Sequence, residues 1–219
     1  MNLIELLEAP ESRHARHGRI FGVVVGLVTN NQDPESMGRV KVQFPWLSSS
    51  DERYWARVAA PMAGNNRGAY FLPEVNDEVL VAFEHGDVRA PYVLGALWNG
   101  QDVPPRTNSD GKNNERVIRS RNGHEFVFND DSQGGHVQIK TNAGHLFILD
   151  DTSGQEKITV QDKTGNNTIV IDSVQNAITI TAQMQLNLKA QTVEIDADQM
   201  LTLRAGANLT IQGAMVQIN

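Results

Sequence analysis

The stretch VEIDADQMLTLRAGANLTIQGAMVQIN, residues 193–219, determines the fold that we expect for the second half of this chain. It contains four apolar-x-apolar triplets, whose first residues are Val193, Leu201, Leu209 and Val216. The triplets begin eight, eight and seven residues apart. Each triplet offers only two apolar side chains before a turn, so one repeat is too small to form a core by itself.

The same alternation extends backwards along the chain, where the step lengthens to ten or eleven residues and includes Val137/Ile139 and Phe147/Leu149. Polar residues such as Thr159 separate the two apolar residues of each pair. Alternation with period two predicts β-strands with one buried face and one face toward water. The predicted core and trimer-interface residues are Ile158, Val160, Ile169, Ile171, Ile178, Ile180, Leu186, Leu188, Val193, Ile195, Leu201, Leu203, Leu209, Ile211, Val216 and Ile218.

A narrow strip of such strands has two open edges and a thin apolar face, and neither is stable alone. Three copies wound around one axis would pair every edge and point every apolar pair inward. The pattern therefore predicts an intertwined trimeric β-helix, or β-prism. No aromatic residue follows Phe147 and no proline follows Pro105, which suits a thin axial core and an unbroken ladder. A single-chain β-helix is the alternative, but coils of seven or eight residues are too short to enclose a core.

Composition limits the class of protein. The formal net charge of −7 argues against a general nucleic-acid-binding protein, which carries a basic surface. The chain has no cysteine, which excludes disulfides and thiolate metal sites and fits assembly in a reducing cytoplasm. The longest apolar run, residues 21–28, is too short to span a bilayer, and the first residues do not have the pattern of a signal peptide.

Five short strand patterns occupy the first half of the chain. They cover residues 21–30, 38–44, 54–61, 78–83 and 92–97, and turn-rich segments join them. Five strands of this kind predict an OB-type barrel. We therefore expect an all-β chain with an N-terminal segment at 1–17, a five-stranded OB-type barrel at 18–100, a linker or neck at 101–121 and a triple-stranded β-helix spike at 122–219.

Four blocks in the barrel half carry a family resemblance. GLVTNNQDPESMGRVKVQFPW, WARVAAPMAG, GAYFLPEVNDEVLVAFEHGD and PYVLGALWNG closely resemble the OB domain of the phage baseplate assembly protein V and VgrG spike family. Residues 122–131, 143–154 and 161–172 resemble the start of the needle in VgrG-type spikes. The resemblance implies a homotrimeric central spike without enzymatic activity or cofactor. Such a spike lies beneath a contractile tail tube and punctures an envelope when the sheath contracts.

The resemblance also implies partners. VgrG proteins carry hub domains ahead of the OB domain, and this chain does not, so a separate hub protein is expected. The expected hub contacts are Leu3, Ile4, Leu6 and Leu7. Val216 and Ile218 continue the apolar pattern to the last residues, so three copies should present a blunt apolar end to a separate tip protein resembling PAAR-repeat proteins. The spike is expected to bind no nucleic acid and to touch the target envelope only on firing.

The residues that could carry chemistry are better explained by structure. His124 and His145 each follow a glycine at a strand start and lack the partners of a zinc site, so no metal site is predicted. The aspartate pairs at 130–131 and 150–151 precede Ser or Thr and then Gly, which predicts turns. Adjacent strand residues point to opposite faces, so neither pair forms an acid/base couple, and no catalytic residue is predicted.

Two other functions compete with the spike. A β-helical polysaccharide-degrading tail enzyme would need a groove with inward carboxylates or aromatic platforms for sugars, and the needle pattern offers neither. An OB-fold nucleic-acid-binding protein would need a basic face with stacking aromatic residues. The spike itself is made in the cytoplasm and becomes part of a phage virion, a secretion apparatus or a released injection particle, and the sequence does not distinguish these three.

Overall fold

The computed structural model describes residues 19–46 and 54–218. The chain divides into two compact units, and the second begins at Asn108. Strands and turns make up both units, and one 3₁₀ turn lies at Glu84–Gly86, so the predicted all-β class is confirmed. Within the described residues, no helix is long and apolar enough to cross a membrane.

The first unit is a closed barrel. Its five strands are β1 (Val23–Asn30), β2 (Val40–Gln43), β3 (Trp55–Val58), β6 (Glu78–Phe83) and β7 (Pro91–Ala96), and the two short strands β4 (Ala63–Gly64) and β5 (Arg67–Gly68) form a separate hairpin. The barrel strands follow the order β1-β2-β3-β7-β6. Strands β3 and β7 run parallel, and the other neighbours run antiparallel. The predicted five-stranded OB-type barrel is confirmed.

Alternation of apolar residues fills the barrel interior. Along β6, every second residue is buried, which places Val79, Val81 and Phe83 inside. The rings of Phe83 and Phe44 lie 5.4 Å apart between centroids. A side chain at Gly26 would collide with Val42, so glycine permits the close approach of β1 to β2. The complete buried cluster is Val28, Val40, Val42, Phe44, Ala56, Val79, Val81, Phe83 and Val93.

A carboxylate fixes the loop between β1 and β2. Asp33 is almost fully covered and accepts two hydrogen bonds from the Arg39 guanidinium, at 2.8 and 2.9 Å. It also accepts bonds from the backbone amides of Glu35, Met37 and Arg39. The Arg39 side chain, followed by these amides, holds the pKa of Asp33 well below its usual range. The loop therefore depends on an ionised Asp33.

The second unit contains a seven-stranded antiparallel sheet. Its strands are β8 (Glu115–Arg119), β9 (Glu125–Asn129), β10 (His136–Lys140), β11 (Leu146–Asp150), β12 (Lys157–Gln161), β13 (Thr168–Asp172) and β14 (Ala177–Thr181). Each strand pairs with the next one in the chain, which makes a continuous meander. Strand β8 lies within the segment that the sequence predicts as a linker. This segment forms a strand because Val117 pairs with Val127 on one face of the sheet and Ile118 pairs with Phe126 on the other.

Regular pairing stops at Thr181. Residues 182–218 contain no strand and are exposed along their whole length, apart from Ala182, which is half-buried. The sequence predicts a continuous needle over 122–219, so the single chain forms only its first part as a hydrogen-bonded sheet.

Several predictions fall on residues that the structure does not describe. The N-terminal segment at 1–17 and the expected hub contacts Leu3, Ile4, Leu6 and Leu7 lie outside the described residues.

Candidate interaction surface

The seven-stranded sheet carries two rows of apolar side chains on one face, which together we name the apolar face. Strand register defines them, because directly paired residues of antiparallel strands point to the same side. The first row is Phe128, Val137, Leu149, Ile158, Ile171 and Ile178. The second row is Ile118, Phe126, Ile139, Phe147, Val160, Ile169 and Ile180. The face therefore runs across every strand of the sheet.

Most of the apolar face is open in the single chain. Nine of its thirteen side chains are exposed, with fractions from 37% for Phe147 to 70% for Ile178, and the other four are half-buried. The barrel contrasts with it, because the inward side chains Val79 and Val81 are completely buried. A contiguous apolar surface of this kind marks a site of interaction with a protein, a membrane or a ligand. The predicted core residues of strands β12 to β14 all lie on this face.

The opposite face of the sheet is mixed. Its middle row contains Val127, Ile148, Thr159 and Val170, and rows of mostly longer polar side chains flank it on both sides. Thr159 is only 9% exposed and Val127 only 3%. The prediction that Thr159 faces water is wrong, because the flanking rows cover the middle of this face. Its hydroxyl contributes no unsatisfied buried polar atom among the described residues.

Three turns lie at the same end of the strands, and side-chain acceptors connect each of them to the next segment of chain. Nδ1 of His124 accepts a hydrogen bond of 3.2 Å from the amide of Asn142, one turn further along. Nδ1 of His145 accepts an equivalent bond of 3.2 Å from Lys163. Each neutral ring therefore carries its proton on Nε2. In the third turn, Oδ1 of Asn167 accepts at 3.0 Å from the amide of Gln183. These histidines act as structural acceptors.

Backbone conformation explains why glycine precedes each of these histidines. Gly123 and Gly144 have φ values of 85° and 100°, a region that favours glycine. Their amides donate to the carbonyl oxygens of Ser120 and Thr141 at 2.9 and 3.0 Å, which closes each turn. The sequence predicts structural histidines here, and the hydrogen bonds between turns are the part that sequence patterns do not reveal.

Aspartate carboxylates accept hydrogen bonds within the turns at the opposite end of the strands. Oδ1 of Asp131 accepts from the amide of Gln133 at 2.8 Å, and Oδ1 of Asp150 accepts from both the amide and the hydroxyl of Thr152. The Thr152 contacts lower the pKa of Asp150. Asp130 instead forms an ion pair of 2.6 Å with Arg116. The prediction that the aspartate pairs belong to turns is confirmed for Asp131 and Asp150, whose carboxylates accept hydrogen bonds from the turn residues.

The remaining predicted core residues lie beyond the sheet. Their side chains are between 52% and 89% exposed. They are Leu186, Leu188, Val193, Ile195, Leu201, Leu203, Leu209, Ile211, Val216 and Ile218. The predicted list also missed Phe126 and Phe128, because Val127 between them interrupts the apolar–polar alternation. Their rings lie 4.7 Å apart between centroids, which confirms a shared face.

Among the described residues, no group of three or more His, Asp or Glu side chains is arranged to hold a metal ion.

Comparison with known proteins identifies the barrel. Residues 24–98 match the model of the type VI secretion system/phage-baseplate injector OB domain. Type VI secretion system spike protein VgrG3 of Vibrio cholerae is 36% identical over a match that covers 47% of this chain and 10% of that protein. The actin cross-linking toxin VgrG1 of Vibrio cholerae is 29% identical, with coverage of 59% and 12%.

A spike protein of Pseudomonas aeruginosa, VgrG5, is 33% identical, with coverage of 54% of this chain and 18% of that protein. The chain thus spans between a tenth and a fifth of the length of these relatives. Their names describe secretion spikes and, in one case, a toxin. Residues 24–98 are thus similar to the type VI secretion system/phage-baseplate injector OB domain, and the chain is similar over about half of its length to VgrG spike proteins.

Proposed function

We propose that this chain is the central spike of the baseplate of a contractile injection machine and that it works as a homotrimer. The observation that carries the proposal is the exposed apolar face, which crosses seven strands of one sheet. Three copies that turn these faces toward one axis bury them together. The role is mechanical, so the chain needs neither a catalytic residue nor a cofactor.

Backbone hydrogen bonding supports intertwining after the sheet. Within residues 183–216, which the structure describes, there is no backbone–backbone hydrogen bond, although apolar and polar residues alternate there as in strands. Backbone amides and carbonyls require partners once water is removed. Neighbouring copies supply those partners in an intertwined β-prism, and the apolar pairs from Leu186 to Ile218 then line its axis.

Two further proteins complete the proposed machine. A separate hub protein binds the barrel end, where Met62, Tyr70 and Phe71 are exposed apolar side chains beside the β4–β5 hairpin. A separate tip protein resembling PAAR-repeat proteins binds at Val216 and Ile218, which are 52% and 89% exposed. The relatives' names as secretion spikes support this assignment to a baseplate or secretion apparatus, and sheath contraction then drives the needle through the target envelope.

Light scattering of the purified full chain at micromolar concentration tests the proposal. The expected mass is three times 24.2 kDa, with no change on dilution. A folded monomer, or a dimer that stays constant over the same range, refutes the proposed spike.

A further inference from the structure

Two rows of turns border the sheet of residues 115–181, one at each end of its strands. They alternate along the chain, because each strand of the meander reverses direction. The first turn row comprises residues 120–124, 141–145 and 162–167, and the second comprises 130–135, 151–156 and 173–176. Backbone hydrogen bonds also stack the second row, since the amide of Asp151 donates to Gly135 and that of Ser173 donates to Glu156.

The two rows carry opposite charge. The charged residues of the first turn row are Arg121, Asp162 and Lys163, which gives a formal charge of +1 besides two histidines. The second turn row contains Asp130, Asp131, Asp151 and Glu156 and no Lys or Arg, which gives −4. The apolar face therefore lies between a weakly basic first turn row and an acidic second turn row.

Some of these charges already have partners in the same chain. Asp130 pairs with Arg116, and Asp162 accepts hydrogen bonds from Asn167 and Thr164 in its own turn. Among the described residues, no ion pair joins Lys163, Asp151 or Glu156 to another side chain. Lys163 and Asp151 are exposed. These are the charges that another molecule can reach.

We infer that, in the homotrimer proposed above, the first turn row of each copy lies against the second turn row of the next copy. The occupant of each edge is thus a second copy of this chain. Cyclic symmetry brings one edge of a subunit to the opposite edge of its neighbour, which is a heterologous contact that closes after three steps. A two-fold dimer whose apolar faces stack about an axis across the strands also brings unlike rows together, but it closes after two copies and cannot give a covalent trimer. Contact between two second turn rows would place like charges side by side.

Cross-linking tests the arrangement. The chain has no cysteine, so Ala143→Cys in the first row and Ser153→Cys in the second introduce the only thiols. Both positions are exposed, and strand β11 separates them within one chain. A short bismaleimide should link the double variant into covalent dimers and trimers on denaturing gels, whereas each single variant should stay monomeric there.

The outcomes separate this inference from the proposed function. Covalent dimers from either single variant indicate contact between like rows and overturn the inference. A trimer by light scattering that gives no cross-linked product from the double variant also overturns it, while the proposed function stands. A monomer by light scattering refutes the proposed function itself.

Charge reversal provides a second test. Lys163→Glu or Glu156→Lys alone should slow assembly of the refolding trimer by about tenfold at low salt, because each places like charges at the contact. The double variant should recover the original rate, since both rows reverse together. Lys112→Glu, an equal charge change outside both rows, is the matched control. Additive losses in the double variant, or an equal effect of the control, contradict the arrangement.

Discussion

Replacing Ile180 by aspartate tests the apolar face directly. Ile180 lies in β14, is paired with Ile169 and is 53% exposed in the single chain. Full burial of an isoleucine contributes about 1.5 to 3 kcal/mol, so assembly should gain about 1 kcal/mol per chain from the half that is still open. A carboxylate at this position loses that gain. It also adds a desolvation cost of several kcal/mol for each ion, and three ions meet near one axis.

The expected loss for Ile180→Asp is therefore on the order of 10 kcal/mol per trimer, which exceeds what an assembly of marginal stability tolerates. The control is Thr181→Asp, because Thr181 is the next residue, is exposed and points to the other face. Surface changes of this type cost within about 0.5 kcal/mol. Light scattering should find the control trimeric and Ile180→Asp monomeric or aggregated. Trimers of equal mass and equal unfolding rate would refute the assignment of this face.

Three further predictions concern the turns and the segment beyond the sheet. His145→Leu should lower the melting temperature, because the backbone amide of Lys163 loses its hydrogen-bond acceptor. The expected loss of stability is roughly 0.5 to 1 kcal/mol per chain. His145→Asn, which keeps an acceptor, should retain most of the stability. Hydrogen bonds from Asn167 and Thr164 lower the pKa of Asp162 to about 2. The ionised carboxylate should therefore stabilise the fold above about pH 4, and this contribution should be lost as the pH falls toward 2. Asp162→Asn should remove this part of an acid titration followed by circular dichroism. Leu203→Asp should accelerate unfolding of the trimer far more than Thr202→Lys, and equal unfolding rates for the two variants would contradict an inward Leu203.

The sequence was most informative where apolar and polar residues alternate strictly along a strand. Pairs such as Ile158/Val160 and Ile169/Ile171 predict both the strand and the side on which its apolar residues lie, and the structure agrees. Strand β8 was missed because Glu115, Arg116 and Arg119 make its pattern look like a charged linker. Here pairing with β9 outweighs local composition.

Contacts between distant turns explain the other differences. Thr159 is covered because the residues that flank its row come from several strands, and no local pattern encodes that arrangement. The acceptor role of His124 likewise depends on a turn 18 residues away. Short-range periodicity therefore predicted strands and faces, whereas contacts across the sheet required the structure.

The regular placement of the turn glycines has a consequence for how the seven-stranded sheet can change length. Gly123, Gly144 and Gly165 are each 21 residues apart, and each interval contains one hairpin of two strands. Because neighbouring strands lie roughly 4.8 Å apart, duplication or deletion of one interval changes the sheet by about 10 Å and preserves the alternation of its faces. A single residue inserted within a strand would instead reverse the faces of the strand residues that follow it. Within this part of the sheet, a gene segment of 63 nucleotides (three for each of the 21 residues) is therefore one step by which its length can change.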